Sequence, residues 1–158
     1  MIVRDEAGFL EQCLSHLNDL VDEIIVVDTG STDDTLAVAR RFGARIHQQS
    51  WNDDFSEARN RSLGLARGQW ILCLDCDELI SPKDWASIAG QLQGATADAY
   101  RFTTRNYSDQ PNRTGWTVCE GEYAEEKGHP GWFPTSKVRL WRNRPQFRFQ
   151  GAVHELVE

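Results

Sequence analysis

Apolar residues at Phe9, Leu10, Cys13, Leu14, Leu17, Leu20 and Val21 recur every three or four positions, and this spacing predicts an amphipathic helix. The run Glu23-Ile24-Ile25-Val26-Val27-Asp28 follows, short and apolar, and predicts a buried strand ending in an acid. Thr29 to Asp34 is rich in Gly, Ser, Thr and Asp, which suits a tight turn and a helix N-cap. A helix through Leu36, Ala39 and Phe42 is closed by Gly43, and Arg45 to Gln49 reads as a weaker strand. Phe55, Ala58, Ser62, Leu63 and Ala66 mark another helix ending at Gly68, and Trp70 to Leu74 is the most apolar strand of the chain. Ser81-Pro82 opens a further helix through Trp85, Ile88, Ala89 and Leu92.

Strands alternating with helices of this length pair in parallel through right-handed crossovers, so the chain is expected to be α/β, with a mostly parallel sheet covered by helices on both faces. After Ala99 the pattern changes. Tyr100 to Tyr107 and Lys137 to Trp141 read as strands separated by a long loop rich in Gly, Pro, Glu and Trp, of the kind that usually carries function. Met1-Ile2-Val3 reads as the tail of a first strand, with the next helix starting almost at once, so the chain is expected to lack part of its beginning.

A length of 158 residues fits one compact domain. No apolar run approaches the roughly 20 residues of a membrane span and the start does not resemble a secretory leader, so the expectation is a soluble, cytoplasmic protein. The net charge of −7 is unevenly spread, with 8 basic against 17 acidic residues up to position 100 and 9 against 7 beyond it. An acidic first part repels a polyanion, which excludes a general nucleic-acid binder, and phosphates bound there need a divalent cation between them and the carboxylates. Cys73 and Cys76 have the spacing of a redox or zinc pair, but residues three apart on a strand face opposite ways. The four cysteines are therefore read as small core hydrophobes.

Three polar clusters fall at the carboxyl ends of predicted strands, where open parallel sheets bind ligands. They are Arg4-Asp5-Glu6, Asp28-Thr29-Gly30-Ser31 and Asp75-Cys76-Asp77-Glu78. Three carboxylates within four residues of an apolar strand repel one another unless a cation compensates, and alternate residues of extended chain let Asp75 and Asp77 converge on one ion. Hard carboxylate oxygens suit Mg2+ or Mn2+. The competing reading is a solvated acidic turn capping the next helix.

Together, Met1 to Glu6, Val27 to Asp33, the Trp51 to Leu63 stretch with Ala58-Arg59-Asn60, and Leu74 to Glu78 resemble, in order and spacing, the successive motifs of family 2 glycosyltransferases of the GT-A fold. Val138 to Asn143 and Gly151-Ala152-Val153-His154-Glu155 resemble the later segment of the branch often fused to tetratricopeptide repeats, and the chain is expected to stop short of the helices that follow there. The resemblance implies a Rossmann-like sheet and one domain over residues 1–158, with 1–98 holding a nucleoside-diphosphate sugar and 99–158 serving the acceptor and completing the metal site. Asp28 would bond the base, and Val3, Arg4 and Glu6 would help hold the nucleoside beside the Gly30-Ser31 turn. Arg59 would approach base or diphosphate, Asp75 the ribose or sugar, and Asp77 the Mn2+ or Mg2+, with His154 completing the metal or diphosphate site. Read as ordinary surface chemistry, Arg59 pairs instead with Asp53 or Asp54, and His154 is a surface residue.

The implied reaction is inverting, with a UDP-sugar as first donor and a sugar, lipid-linked glycan or protein as acceptor, placed in the cytoplasm or at the inner face of the membrane. A base is then needed across the sugar from the diphosphate, and the long loop supplies Glu122 and Glu120, with Glu125 and Glu126 beside them. Trp116, Tyr123, Trp132 and Phe133 either stack on a sugar or pack internally. The alternatives are a phosphotransferase, a nucleotidyltransferase, or a nucleotide-sugar-binding fragment without turnover. The acidic pair lies mid-chain and the first strand lacks a Gly-rich basic loop, which argues against the first two.

Overall fold

The computed structural model describes residues 1–17 and 19–157. It divides into two compact units, the first formed by Met1–Ile80 and the chain from Trp141 onward, the second by Ser81–Leu140. This division differs from the one at residue 98 drawn from the sequence. The helix after Pro82 goes with the second unit, and the tail returns to the first.

In the first unit, β1 (Ile2–Val3), β2 (Ile25–Asp28) and β3 (Arg45–Gln48) form a parallel sheet in that order. Val3 lies opposite Asp28, and Asp28 opposite Gln48, so the polar strand ends line up in register. Helix α1 (Ala7–Leu17) packs against α2 (Thr35–Arg41), and α3 (Phe55–Leu65) packs on β2. Leu10, Cys13, Leu14 and Leu17 of α1 are buried with Val26 and Val27 of β2, and burying such side chains contributes roughly 2 kcal/mol each. The apolar spacing through Leu20 and Val21 predicts a longer first helix. Instead the Leu20 N–H closes a turn on the Leu17 carbonyl.

Strand β4 is Trp70–Leu72, shorter than expected, with its ladder ending before Cys73 and a turn following at Cys76-Asp77. Cys73 and Cys76 are both buried and both free, as small core residues. Further on, Asn143 is anchored beside this strand: its N–H donates to Gln69 O and its Nδ2 to Ala66 O and Gly68 O. The tail closes as a small antiparallel pair, with Phe149–Gln150 facing Leu156–Val157.

The second unit holds α4 (Pro82–Leu92), β5 (Ala99–Tyr107), β6 (Thr117–Val118), a 3-10 turn at Ala124–Glu126, and β7, which runs Gly131–Arg142 and carries its last two residues into the first unit. The long loop expected up to residue 136 is therefore partly strand. Gly131 makes this possible: a Cβ there would stand 2.1 Å from the Trp116 ring. Among the described residues no helix is long and apolar enough to cross a membrane.

Candidate donor and metal site

The loops after β1 and β2 are laced together. Thr29 donates both its N–H (3.0 Å) and its hydroxyl (3.2 Å) to Val3 O. Asp5, held at φ 53°, accepts from the N–H groups of Thr32 (2.6 Å) and Asp33 (3.3 Å), and its own N–H donates to Ser31 Oγ. The Thr32 N–H first, and the Thr32 hydroxyl and Asp33 N–H with it, hold the Asp5 carboxyl below the usual carboxylate range. Glu6 N donates to Thr35 Oγ1 and Ala7 N to Asp33 Oδ2. Sequence reading did not single out Asp5, Asp33 or Thr35 for this work, although a turn rich in Asp and Thr is the expected source of such caps.

Asp28 is fully buried at the end of β2. Its carboxylate accepts from Gly30 N (3.4 Å), Ser31 N (3.1 Å) and Gln48 Nε2 (3.3 Å). Gly30 sits at φ 113°, a conformation that L side chains avoid, so the turn needs glycine there. In this structure Asp28, Gly30 and Ser31 thus shape the loop beside Val3 and the exposed Arg4. Gln48, in register with Asp28, was legible only from the pairing of β2 with β3.

After β4, Asp75 is half-buried and Asp77 exposed. The Cys13 thiol on α1 points at Asp75 O, 4.0 Å away. Burial pushes the Cys76 thiol up to about 11, with the charges of Glu6 and Asp77 adding to it, so the segment after β1 and the turn after β4 feel one another's charge. The turn, rather than a continued strand, means that Asp75 and Asp77 do not simply share one face.

Arg59 is buried on α3 and does not pair with Asp53 or Asp54. Asp53 accepts from Trp51 Nε1, and Asp54 caps α3 by accepting from Glu57 N. Instead Arg59 Nη2 donates to Asp75 Oδ1 at 2.6 Å, Nε to Glu155, and Nη1 to Cys73 Sγ at 3.5 Å. Burial alone would lower the pKa of this guanidinium, but Cys73, Asp75 and Glu155 outweigh it and hold it more firmly protonated than usual. His154, at φ 58° in the turn between β8 (Phe149–Gln150) and β9 (Leu156–Val157), is exposed. No three His, Cys, Asp or Glu side chains converge as a metal cage among the described residues, so His154 is not gathered with Asp75 and Asp77. The turn sends its neighbour Glu155 inward instead.

In the second unit, Arg105 Nη2 donates to Glu122 (2.5 Å) and Nη1 to the buried Glu126 (2.9 Å), while Lys83 Nζ reaches Glu122 at 3.1 Å. These pairings hold the Glu122 carboxyl below its ordinary value, which makes it a weaker base than the loop composition suggests. Glu120 is exposed. The aromatic faces are occupied by protein cations: Arg105 lies over Tyr123 (4.2 Å) and Trp132 (4.4 Å), and Arg113 over Phe133 (4.9 Å).

A family model described as glycosyl transferase family 2 matches residues 1–151. The chain belongs to family 2. A TPR repeat-containing protein of Synechococcus elongatus is 43% identical over 100% of this chain and 34% of its own length. The SPbeta prophage-derived glycosyltransferase SunS of Bacillus subtilis is 30% identical over 98% of the chain and 33% of its own length. The chain thus spans about a third of these two relatives. Among solved structures, glucosyl-3-phosphoglycerate synthase from Mycobacterium tuberculosis, in complex with Mn2+ and UDP-glucose, is 27% identical with a TM-score of 0.51, covering 62% of this chain and 39% of that one. The family membership and the mixed α/β sheet agree with the GT-A expectation, and the Synechococcus relative agrees with the repeat-fused branch.

Proposed function

We propose that this chain carries the donor site of a glycosyltransferase that moves a sugar, with inversion, from a nucleoside-diphosphate sugar to an acceptor. The observation that carries the reading is the pairing side by side of the Val3–Glu6 and Asp28–Ser31 segments through laced backbone, with the Asp75–Asp77 turn of the same unit near enough for the charge of Glu6 to reach Cys76 and with Asp77 facing solvent. The Mn2+ and UDP-glucose bound by the mycobacterial relative support a UDP-sugar as the first donor to test. Asp28 with its turn would take the base, Val3, Arg4 and Glu6 the nucleoside, and Asp75 the ribose or sugar.

The residues present fit Mn2+ or Mg2+. A cage of three protein ligands is absent among the described residues, but such ions are commonly held by one or two carboxylates with substrate phosphates and water completing the shell. Asp77, an exposed hard donor, and Asp75 are the residues that would hold it, and His154 is left out of this set. When bound, the ion supplies charge stabilisation to the departing diphosphate. The base that deprotonates the acceptor falls to Glu120 ahead of Glu122, because Arg105 and Lys83 hold Glu122 in its less basic state.

The test is thermal unfolding with Mn2+ combined in turn with UDP, GDP or dTDP. At ligand near 100 times Kd the site adds about 2.7 kcal/mol, a rise of roughly 5 to 10 °C for this size, with metal and nucleotide each needing the other. Asp77→Ala is expected to abolish the coupling. The reading fails if no pair shifts the wild type. Release of nucleotide from the sugar donor, absent in a binding fragment, separates turnover from binding alone.

A further inference from the structure

The tail of the first unit is docked on α3 largely through backbone groups. Phe55 N donates to Ala152 O (3.0 Å), and Ser56 Oγ to Gly151 O (2.6 Å). Asn60 clamps Phe149 from both sides, its Nδ2 donating to Phe149 O and its Oδ1 accepting from Phe149 N, each at 2.9 Å. Between these anchors Arg59 reaches Glu155 and Asp75 at once, with its Cζ 5.4 Å from the Phe149 ring centroid. Each guanidinium nitrogen is committed to a protein acceptor, counting the Cys73 sulfur.

A buried guanidinium with one carboxylate can still turn about its own chain. A second carboxylate on a different nitrogen fixes the plane of the fork, and through it the carboxylate held by the first. Arg59 is 8% exposed, and the side chain of Glu155 13%. Solvent therefore screens the Arg59–Glu155 pair little, while the Asp75 side chain is more open, at 29%.

We propose that Arg59 and Glu155 are a positioning pair for Asp75, set in place by the docked tail, and that Arg59 is not a nucleotide contact. The inference rests on the donor-site reading, since it is the donor carboxylate that the pair orients. Supporting partners behind a ligand-binding group typically alter affinity 10- to 100-fold when removed. The sequence motif around His154 and Glu155 then matters for its second residue.

The experiment is calorimetric titration of UDP in the presence of Mn2+, with unfolding temperatures in parallel, on wild type, Glu155→Ala, Glu155→Gln, Asn60→Ala, Arg59→Lys and Asp75→Asn, and on Glu155→Ala and Arg59→Lys combined with Asp75→Asn. Glu155→Ala is expected to weaken binding about tenfold, and Asn60→Ala, which frees the tail without touching the pair, in the same direction. Glu155→Gln keeps an acceptor and should recover to within about threefold of wild type. On the Asp75→Asn background Glu155→Ala should add nothing, because both act through the same carboxylate. Wild-type affinity in a folded but less stable Glu155→Ala would overturn the proposal while leaving the donor site standing. A further loss from Arg59→Lys on the Asp75→Asn background would make Arg59 a direct contact and overturn it as well. A wild type that does not bind UDP with Mn2+ would remove the donor-site reading, and the pair with it.

Discussion

The two units are held together by different chemistry. Among the described residues, every buried apolar side chain except Leu140 lies in the first unit. Helix α4 of the second unit buries none of its residues fully, although Trp85, Ile88, Ala89 and Leu92 repeat at helical spacing. What orders that unit instead is a polar and aromatic knot. Arg105 is held between Tyr123 and Trp132 and paired with Glu122 and Glu126, and the buried Glu126 carboxylate also accepts the N–H groups of Gly121 (2.6 Å) and Glu122 (3.2 Å). Hydrophobic periodicity marks one side of an element, but only an apolar partner layer turns that side into core. A loop tied by charge and stacking leaves no periodic trace.

The contrast can be broken most forcefully in the first unit. Leu14→Ala removes a fully buried side chain and is expected to cost about 3 kcal/mol by denaturant unfolding, because a close-packed core collapses only partly into the space left. A cost near zero would mean the apolar core does not carry this unit. Arg105→Ala should cost less, about 2 kcal/mol, by leaving buried Glu126 short of its cation and two aromatic faces bare. Its signature is local: hydrogen exchange should quicken over residues 121–132 while the amides of α1 stay protected, and uniform acceleration would contradict separate means of support.

The smallest expected effect is that of acid on Glu122. Hydrogen bonds first from Arg105 and then from Lys83 depress its pKa in the folded protein below the ordinary 4.5, so its contribution is present above that value and is lost as pH falls through the lower folded one. Exchange at residues 121–127 should therefore rise below about pH 4.5, and the rise should be blunted in Glu122→Gln. The carboxylate is exposed, so salt should shrink the effect further.

Much of the candidate site was legible because it follows from local rules. Apolar runs ending in acids placed Asp28 and Asp75 at strand ends, and Gly30 with its neighbours announced a turn. The partners were not legible. Arg59 had acids close by in sequence, yet Asp54 is spent on capping α3 and Asp53 on Trp51, so the guanidinium is left for Asp75 and for Glu155, 96 residues away. His154 and Glu155 are adjacent, and only a left-handed turn decides which of them faces inward. The aromatics of the long loop could not be sorted between sugar stacking and packing until Arg105 and Arg113 were found lying on them.

By itself, then, the sequence determined the alternation of helix and strand, the parallel pairing of the first strands, and the family, because periodicity, strand-end acids and motif spacing are properties of neighbouring residues. Tertiary structure alone decided that the tail returns to α3, that Glu126 is buried, and that Glu122 is held as an ion pair. These outcomes depend on which groups far apart in the chain meet: backbone carbonyls of the tail with α3, and exposed Glu122 and buried Glu126 with Arg105, whose attraction is strongest where water is excluded. No local pattern records that choice.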